Sequence, residues 1–328
     1  MKRCWLAVLC VAFLVPQAKA LEVMVRPLSL AQGADAGDLG PLRLAGVLEL
    51  TAAASGFGGF SGLALGPDGR RFIAVSDAGM GWAGALAEDA EGRLVGVADN
   101  SLFPLLGLDG QPLGDKHHGD AEAVGLMPEG DALLIAFEQW HRIWRYPLNR
   151  EGGFASLAQA VPTSLDVEAA LAGLPDNGGI EAMAVLADGA ALALSEDGDA
   201  GGGARRAWRF GAPSLALRYQ TPLPHVPTDA AALPDGRVLV LHRHWSPFSG
   251  ASGVLAWFDA TSLAANELVT PRLVARLAPP FPVDNFEGLA VRPAADGGLD
   301  LFLITDDNFN PLQKTLLIKL HWPASALP

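Results

Sequence analysis

The sequence has almost no cysteine. Its two cysteines, Cys4 and Cys10, both fall within the first 20 of 328 residues, so the 308 residues that follow have none. This part of the chain therefore has no disulfide, no cysteine nucleophile and no thiolate metal site. A protein that folds without such links needs a substantial hydrophobic core, and a chain of this length can bury one.

Beyond the N-terminus the sequence also lacks any apolar run long enough to cross a bilayer. The first 20 residues have a basic start, an apolar stretch over residues 5–15 and the small residues of Ala18-Lys19-Ala20. This pattern is typical of a secretory signal peptide. We therefore predict a signal peptide over residues 1–20, cleaved after Ala20, and a periplasmic or secreted protein without a membrane span.

Basic residues are scarce as well. The chain has 23 Lys and Arg against 36 Asp and Glu, a net charge of −13. Loss of Lys2, Arg3 and Lys19 with the signal peptide leaves 20 basic residues and a charge of −16. So acidic a protein is a poor partner for nucleic acid or an anionic membrane. The charge suits cation binding, with general solubility as the simpler explanation.

What the sequence does contain is a repeated strand–turn–strand unit. Each unit has a short apolar strand, a turn with Asp-Gly or Glu-Gly, and a second apolar strand with polar or acidic residues at its end. The intervals between successive units are 61, 59, 48 and 58 residues when the following first-strand residues are aligned: Ser61, Glu122, Glu181, Asp229 and Glu287.

Self-similarity at this period predicts a β-propeller built from four-stranded blades. The last unit has a third strand near residues 315–321 but no chain left for a fourth, and residues 42–50 can supply it. We therefore predict an all-β fold, a single five-bladed propeller over residues 42–328 whose ring is closed by strands from both termini. An N-terminal arm over residues 21–41 precedes it. Six blades is the alternative, although no turn for a sixth hairpin is found.

Acidic residues recur at one end of these hairpins. In a propeller the first strand of each blade lines the central channel, so all units present this end to one channel mouth. Several carboxylates that converge there need a cation to stay ionised, and hard oxygen ligands favour Ca²⁺. Alternatively, the acids hydrogen-bond backbone amides and hold the blades in register. The predicted metal ligands are Asp77, Glu122, Glu181, Glu287 and Asp306.

Three further residues are candidate catalytic groups. Arg243 ends the second strand of the fourth unit, and its guanidinium can hold an oxyanion or pair with a channel carboxylate. His118, in the segment before the second unit, can transfer protons or bind metal, or simply pair with a carboxylate. Glu138 ends the second strand of its unit and is a candidate for either catalysis or metal binding.

Three segments carry a resemblance to a known family. They are Gly-Asp-Ala-Glu-Ala at residues 119–123, Asn-Phe-Glu-Gly-Leu at 285–289 and Thr-Asp-Asp-Asn-Phe-Asn-Pro-Leu-Gln-Lys-Thr at 305–315. Over residues 57–322 the chain resembles the exported bacterial family described as having esterase-like activity of phytase. The resemblance implies a propeller fold, hydrolysis of phosphate or carboxylate esters and Ca²⁺ held by clustered acids.

The sequence supplies few basic residues to accompany these acids. This shortage disfavours a highly charged substrate such as phytate unless bound metal supplies positive charge. The basic candidates are Lys116, Arg142, Arg205, Arg206 and Arg243.

Together these features predict an exported, monomeric, metal-dependent hydrolase of small-molecule phosphoesters or related esters, with Ca²⁺ as its cofactor. Two alternatives stay open. One is a non-catalytic propeller that binds a ligand or a protein with its loop face, because no common nucleophile motif is present. The other is a lactonase-like hydrolase, for which Asn285 and Asn308 would supply amide ligands to a single channel cation.

Overall fold

The chain folds almost entirely into β-strands, as a computed structural model shows for residues 18–28, 39–149 and 151–328. Residues 1–17 of the predicted signal peptide and residues 29–38 of the predicted arm lie outside these described residues. Within the described ranges the helical segments are single short turns, and none of them is long and apolar enough to cross a membrane. They are α1 (Lys116–Gly119), α2 (Glu168–Leu171) and the 3₁₀ turns Phe154–Gln159 and Ala324–Ala326.

The strands follow one another around the molecule. Three precede the first blade: β1 (Lys19–Ala20), β2 (Met24–Pro27) and β3 (Arg43–Thr51). The first two blades contain β4 (Phe60–Leu65), β5 (Arg71–Ser76), β6 (Met80–Glu88), β7 (Leu94–Pro104), β8 (Ala121–Leu126), β9 (Ala132–Phe137), β10 (Arg142–Pro147) and β11 (Thr163–Ser164). The remaining strands are β12 (Ile180–Val185), β13 (Ala191–Asp199), β14 (Arg205–Phe210), β15 (Leu215–Tyr219), β16 (Val226–Ala232), β17 (Arg237–Ser246), β18 (Gly250–Asp259), β19 (Leu268–Val269), β20 (Arg272–Leu277), β21 (Asn285–Pro293), β22 (Leu299–Asp306) and β23 (Thr315–Trp322).

In the described part of the chain these strands form five sheets, each one blade of a propeller. The inner strands β4, β8, β12, β16 and β21 pack against one another in that order, and β21 also contacts β4. The predicted five-bladed propeller is thus confirmed. Short strands extend three blades at the rim: β1 pairs with β7, β19 pairs in parallel with β15, and β2 pairs with β3.

The fifth blade combines both ends of the described chain. Strand β3 pairs antiparallel with β23, from Thr315 opposite Leu50 to His321 opposite Arg43. It therefore supplies the fourth strand that the last repeat lacks. Strand β2 continues this sheet, so part of the stretch predicted as an arm belongs to the fifth blade. Strand β1 lies within the predicted signal peptide and would leave with it.

The hydrophobic core lies between neighbouring blades. Leu239 and Leu241 of β17, for example, belong to the same buried apolar cluster as Leu301 and Leu303 of β22. Successive side chains along a strand point to opposite faces of the sheet, and each face packs against one neighbouring blade. Every blade is therefore buried on both faces. This burial explains why the blade strands read as nearly continuous apolar runs.

Every inner strand has an irregularity at the same place. Its pairing with the next strand shifts by one residue, a β-bulge that turns one side chain out of the ladder. In four of the five blades a glycine or alanine follows the bulge and lets adjacent blades approach. A methyl group on Gly62 would lie 3.0 Å from the Val124 backbone nitrogen, and one on Gly288 would lie 3.1 Å from that of Leu63. The bulge residues are Ser61, Glu122, Glu181, Thr228 and Glu287.

This register corrects the sequence alignment of the fourth unit. Thr228, not Asp229, occupies the position of Glu122 and Glu181. Asp229 lies one residue further into the strand and is completely buried. Its carboxylate accepts the backbone N–H of Leu289 at 2.7 Å, across the boundary to the fifth blade, and that of Ala230 at 2.8 Å.

Asp229 therefore ties inner strands together at the centre of the ring. Burial raises the pKa of Asp229, and backbone N–H donors from Leu289, Ala230, Leu63 and Met183 act in the opposite direction. Those donors belong to four of the five blades. A buried carboxylate that satisfies several amides in this way is a structural contact between blades, not a metal ligand.

Replacement of Asp229 by alanine is expected to destabilise the fold by about 3 kcal/mol or more, because at least two buried N–H groups would lose their acceptor. Urea denaturation would measure the loss. Asp235→Ala is the matched control in the same hairpin, because Asp235 is exposed and pairs with Arg237 in a turn. A loss for Asp229→Ala no larger than that of the control would contradict the assigned role.

Candidate functional site

A cavity of about 910 Å³ opens at one mouth of the central channel. All five blades contribute to its wall. Seven of the eight residues that the sequence singled out line it: Asp77, Glu122, Glu138, Glu181, Arg243, Glu287 and Asp306.

Hairpin geometry explains why these side chains meet. Glu122, Glu181 and Glu287 are bulge residues near the start of inner strands. Asp306 ends β22 and pairs in the ladder with Asn285 at the start of β21. In an antiparallel pair the end of one strand lies beside the start of the other, so each blade delivers its acids to the same mouth.

Three carboxylates form the tightest group. Asp120, Glu122 and Glu138 each offer an oxygen, and these atoms all lie within 4.8 Å of one another. All three residues are buried. Asp120 Oδ2 accepts a hydrogen bond from Gln139 Nε2 at 2.8 Å, whereas its buried Oδ1 accepts no hydrogen bond and has only the Lys116 ammonium 3.5 Å away. Buried carboxylate oxygens in native proteins normally have a partner, so this group fits a bound cation.

Asp120 is the member of this acidic group that the sequence reasoning did not select. It precedes β8 directly, two residues before Glu122. An acid–x–acid pattern at the start of an inner strand is the signal that would have found it.

Burial and mutual repulsion perturb this group. Burial raises the pKa of Glu122, and the nearby charges of Asp120, Glu138 and Glu287 raise it further. Burial likewise raises the pKa of Glu181, with Glu122 as its main charged neighbour. Burial also raises the pKa of Glu138, although the Gly179 N–H, 2.8 Å from its Oε1, opposes the change. Each shift reflects anionic charge that lacks compensation.

Glu287 and Asp306 form a second acidic group in the same cavity. Burial raises the pKa of Glu287 to about 8, against the opposing charge of Arg243. Burial raises the pKa of Asp306 to about 7. Asn285 Nδ2 donates to Glu287 Oε1 at 2.7 Å, whereas Glu287 Oε2 is buried and has no donor. Glu287, which lines the cavity, thus has one buried carboxylate oxygen without a hydrogen-bond donor.

Two basic side chains offset part of this charge. Arg243 Nε lies 3.0 Å from Glu287 Oε1, and its Nη2 donates to Glu196 Oε1 at 3.1 Å. The charge of Glu287 is the main cause that raises the pKa of Arg243. Lys116 Nζ lies 2.9 Å from Asp77 Oδ2 and 3.5 Å from Asp120 Oδ1.

The balance of charge in the cavity remains strongly negative. Among the described residues, eight carboxylates line it, against Lys116 and Arg243 as the Lys and Arg side chains. The other predicted basic candidates bind elsewhere: Arg142 stacks on Phe137 and Trp144, Arg205 pairs with Asp197, and Arg206 donates to the Ala172 carbonyl. A surplus of buried anionic charge on this scale is relieved by bound protons or by bound cations.

The structure does not bring His118 to the cavity. Residues 116–119 form the helical turn α1, in which Asp115 Oδ1 accepts the His118 N–H at 2.9 Å. His118 Nδ1 lies 2.7 Å from the same oxygen, and the ring lines a separate cleft with Trp140 and Trp144. The sequence alone made His118 a candidate catalytic group, but the helical turn directs its imidazole into this separate cleft.

Asp307, the neighbour of Asp306, has a structural role. Its carboxylate accepts hydrogen bonds from the Gly59 N–H, the Phe309 N–H and the Thr315 hydroxyl, each at 3.1 Å. It therefore anchors the loop between β22 and β23 to the first blade. Of the acidic pair that ends β22, Asp306 alone lines the cavity.

A comparison with known protein families identifies the family of this chain. The model of the phytase-like family, described as esterase-like activity of phytase, matches residues 55–309. The chain belongs to this phytase-like family. The match spans most of the propeller and includes all eight carboxylates that line the cavity. Membership and the buried acidic group together indicate a hydrolase-like propeller.

Other comparisons add little to the phytase-like assignment. No curated protein sequence matches the chain. Among solved structures, the hydrazine synthase of Kuenenia stuttgartiensis aligns with a TM-score of 0.37 and 13% sequence identity, over 81% of this chain and 72% of that chain.

Proposed function

We propose that this protein hydrolyses phosphoesters or related esters of small molecules with the help of a divalent cation, Ca²⁺, held at the channel mouth. The observation that carries the proposal is the buried group of Asp120, Glu122 and Glu138, with oxygens within 4.8 Å of one another. Export through a signal peptide over residues 1–20 and action as a monomer belong to the same proposal.

The donor set suits Ca²⁺. Ca²⁺ takes six to eight oxygen ligands, and carboxylates are hard donors that favour it over softer metals. Asp120, Glu122 and Glu138 would hold the cation, with Glu181 and Glu287 next around the ring. When bound, the cation supplies Lewis-acid polarisation of the ester and a more acidic water. Glu138 is thereby assigned to cation binding instead of proton transfer.

Arg243 would hold the oxyanion of the substrate. Besides its contacts with Glu287 and Glu196, its Nη1 donates to Asn285 Oδ1 at 3.2 Å. A guanidinium has five N–H donors, so one N–H on each terminal nitrogen remains for a ligand. Its side chain is 29% exposed, which leaves it accessible from the cavity. The contacts with carboxylates fix its orientation, so little order is lost when it binds an anion.

Glu287 and Asp306 provide carboxyl groups that hold protons near neutral pH. The pKa of about 8 for Glu287 and of about 7 for Asp306 are in the range that general acid–base catalysis requires. Either group can protonate the leaving alcohol, and the one that binds the cation loses that capacity.

Removal of Ca²⁺ is expected to abolish turnover and lower the melting temperature, because the carboxylates would then repel one another. The measurement is hydrolysis of a panel of phosphate monoesters, carboxylate esters and lactones, before and after chelation, beside melting curves. Readdition of Ca²⁺ should restore both. Undiminished turnover after complete chelation would contradict the proposed mechanism.

The same panel addresses the other two functions. Asn285 and Asn308 both line the cavity, which favours a lactonase-like site with amide ligands. However, Asn285 Oδ1 already accepts from Arg243, so that oxygen has a partner. Turnover of lactones alone would select the lactonase-like function. Silence on every ester with Ca²⁺ bound would select a non-catalytic binding propeller.

A further inference from the structure

The cavity has an acidic floor but an apolar rim on one side. Trp245 and Leu312 line it and are 65% and 89% exposed, unusually high values for such large apolar side chains. Pro279 and Val283 also line the cavity. Glu122, Glu181 and Glu287 are buried, so the acids form the inner part of the lining and one ligand can contact both regions.

Strand geometry fixes Trp245 relative to Arg243. Both residues belong to β17, two positions apart, so they face the same side of the strand and lie about 6.6 Å apart along it. The intervening His244 contacts the His225 ring, with centroids 5.6 Å apart. Trp245 pairs with Ala251 in the ladder. The indole is therefore held one short step above the guanidinium.

Hydrogen bonds also fix the tip of this hairpin. The hydroxyls of Ser246 and Ser249 lie 2.7 Å apart, and the Ser249 N–H donates to Ser246 Oγ at 3.1 Å. The exposed indole thus stands on a closed, ordered turn. Its position is suited to contact a ligand without a large loop movement.

Leu312 belongs to a different segment, the loop between β22 and β23. Its N–H donates to Asn310 Oδ1 at 3.1 Å, and the Asn310 N–H donates to the Asp307 carbonyl at 2.7 Å. Asp307 itself is anchored to Gly59 of the first blade. The loop is therefore ordered by its own polar contacts, and Leu312 is free to contact a ligand.

Charge limits what this cavity can bind. Eight carboxylates and two basic side chains line it among the described residues, and each divalent cation offsets only two negative charges. A ligand with many phosphates would meet net repulsion. A ligand with one anionic group can instead place that group at Arg243 and the cation, and its remainder at Trp245.

We infer that the substrate carries a single anionic ester group joined to an apolar alcohol, aromatic or branched, and that Trp245 and Leu312 select it by packing against that alcohol. This inference rests on the proposed hydrolysis of phosphoesters. It assigns 1-naphthyl phosphate to the preferred class, and glycerol phosphate and inositol hexakisphosphate to the disfavoured one.

The test compares kcat/KM for these three phosphates with Ca²⁺ present. Trp245→Ala is expected to lower the value for 1-naphthyl phosphate about 10-fold or more and to change that for glycerol phosphate less than about 3-fold. Leu312→Ser should act in the same direction, and Trp245→Phe should restore most of the loss. The matched control is Phe248→Ala, because Phe248 is 99% exposed in the same hairpin.

A binding measurement separates this inference from the hydrolase assignment. Calorimetry with 1-naphthylphosphonate, which has no ester bond to hydrolyse, needs no turnover. Weaker binding to Trp245→Ala than to the parent supports the inference even if no ester is hydrolysed. Absence of hydrolysis would contradict the proposed function but not the role of Trp245 in binding. Equal binding to both, no binding to the parent, or preference for inositol hexakisphosphate would overturn the inference.

Discussion

Replacement of Glu122 by glutamine is expected to reduce Ca²⁺-dependent turnover by about 100-fold or more and, at the same time, to raise the melting temperature of the metal-free protein. Mutation of a residue that only hydrogen-bonds to a metal ligand typically lowers metal affinity or activity by about 10- to 100-fold. Glu122 would bind the cation directly, so we expect its replacement to cost at least as much. The gain follows because the pKa of Glu122 is raised by burial and by Asp120 and Glu138, so its charge destabilises the empty site.

These opposite changes distinguish a cation site from a structural cluster. If the acids served only to hold the blades in register, Glu122→Gln would lower stability whether or not Ca²⁺ was added. Melting curves with chelator and with Ca²⁺, beside initial rates, measure both effects. Glu129→Gln is the control, because Glu129 is an exposed glutamate in the turn of the same hairpin. A metal-free Glu122→Gln protein that melts below the parent would contradict the cation site.

The fold could be predicted because its signals are local. A turn with Asp-Gly or Glu-Gly between two apolar strands identifies a hairpin from a dozen residues, and five of them at similar intervals identify a propeller. The last unit has no fourth strand of its own, and the apolar residues 42–50 near the N-terminus predicted that β3 would supply it. The edge strand Met24–Pro27 gave no such signal, because a four-residue strand at the rim needs only backbone pairing with β3.

The register of the fourth unit could not be predicted. Thr228 and Asp229 are adjacent, and sequence comparison prefers to align the acid with Glu122 and Glu181. Which residue bulges out is decided by packing between blades, where the Asp229 carboxylate reaches the Leu289 N–H. A contact between residues 60 positions apart leaves no local pattern.

His118 shows the opposite case, in which a local signal was present. Asp115 stands three residues before His118 and accepts its N–H, the pattern of a helix N-cap. That cap turns residues 116–119 into a helical turn and carries the imidazole away from the mouth. The same turn directs Lys116 toward Asp77 and Asp120. Lys116 therefore lines the cavity, whereas His118 does not.

The metal-free protein is expected to lose stability as the pH rises from 5 to 9. The pKa of Glu287 is raised to about 8 and that of Asp306 to about 7, against ordinary values of 4.5 and 3.8. The folded state therefore binds more protons than the unfolded state throughout this range. The stability contributed by these protons is fully present below the unfolded pKa values and is lost as pH rises through the folded ones.

Melting temperatures of the chelated protein across this range should fall by roughly 5–10 °C, since each kcal/mol shifts the midpoint of a large domain by a few degrees. The window avoids pH below 5, where exposed carboxyls with lowered pKa values, such as Asp188 and Asp235, begin to lose their contribution. Glu287→Gln should flatten the slope, whereas Asp235→Asn should leave it unchanged.

Saturating Ca²⁺ should remove most of this pH dependence. Bound cation keeps the carboxylates ionised in the folded state and lowers their pKa values toward the unfolded ones, so the two states bind similar numbers of protons. Because ionised carboxylates bind Ca²⁺ better than protonated ones, the stabilisation by Ca²⁺ should itself increase from pH 5 to 9. A chelated protein whose melting temperature rises over this range would show that the acids are already compensated by protein groups, and the channel mouth would then need no cation.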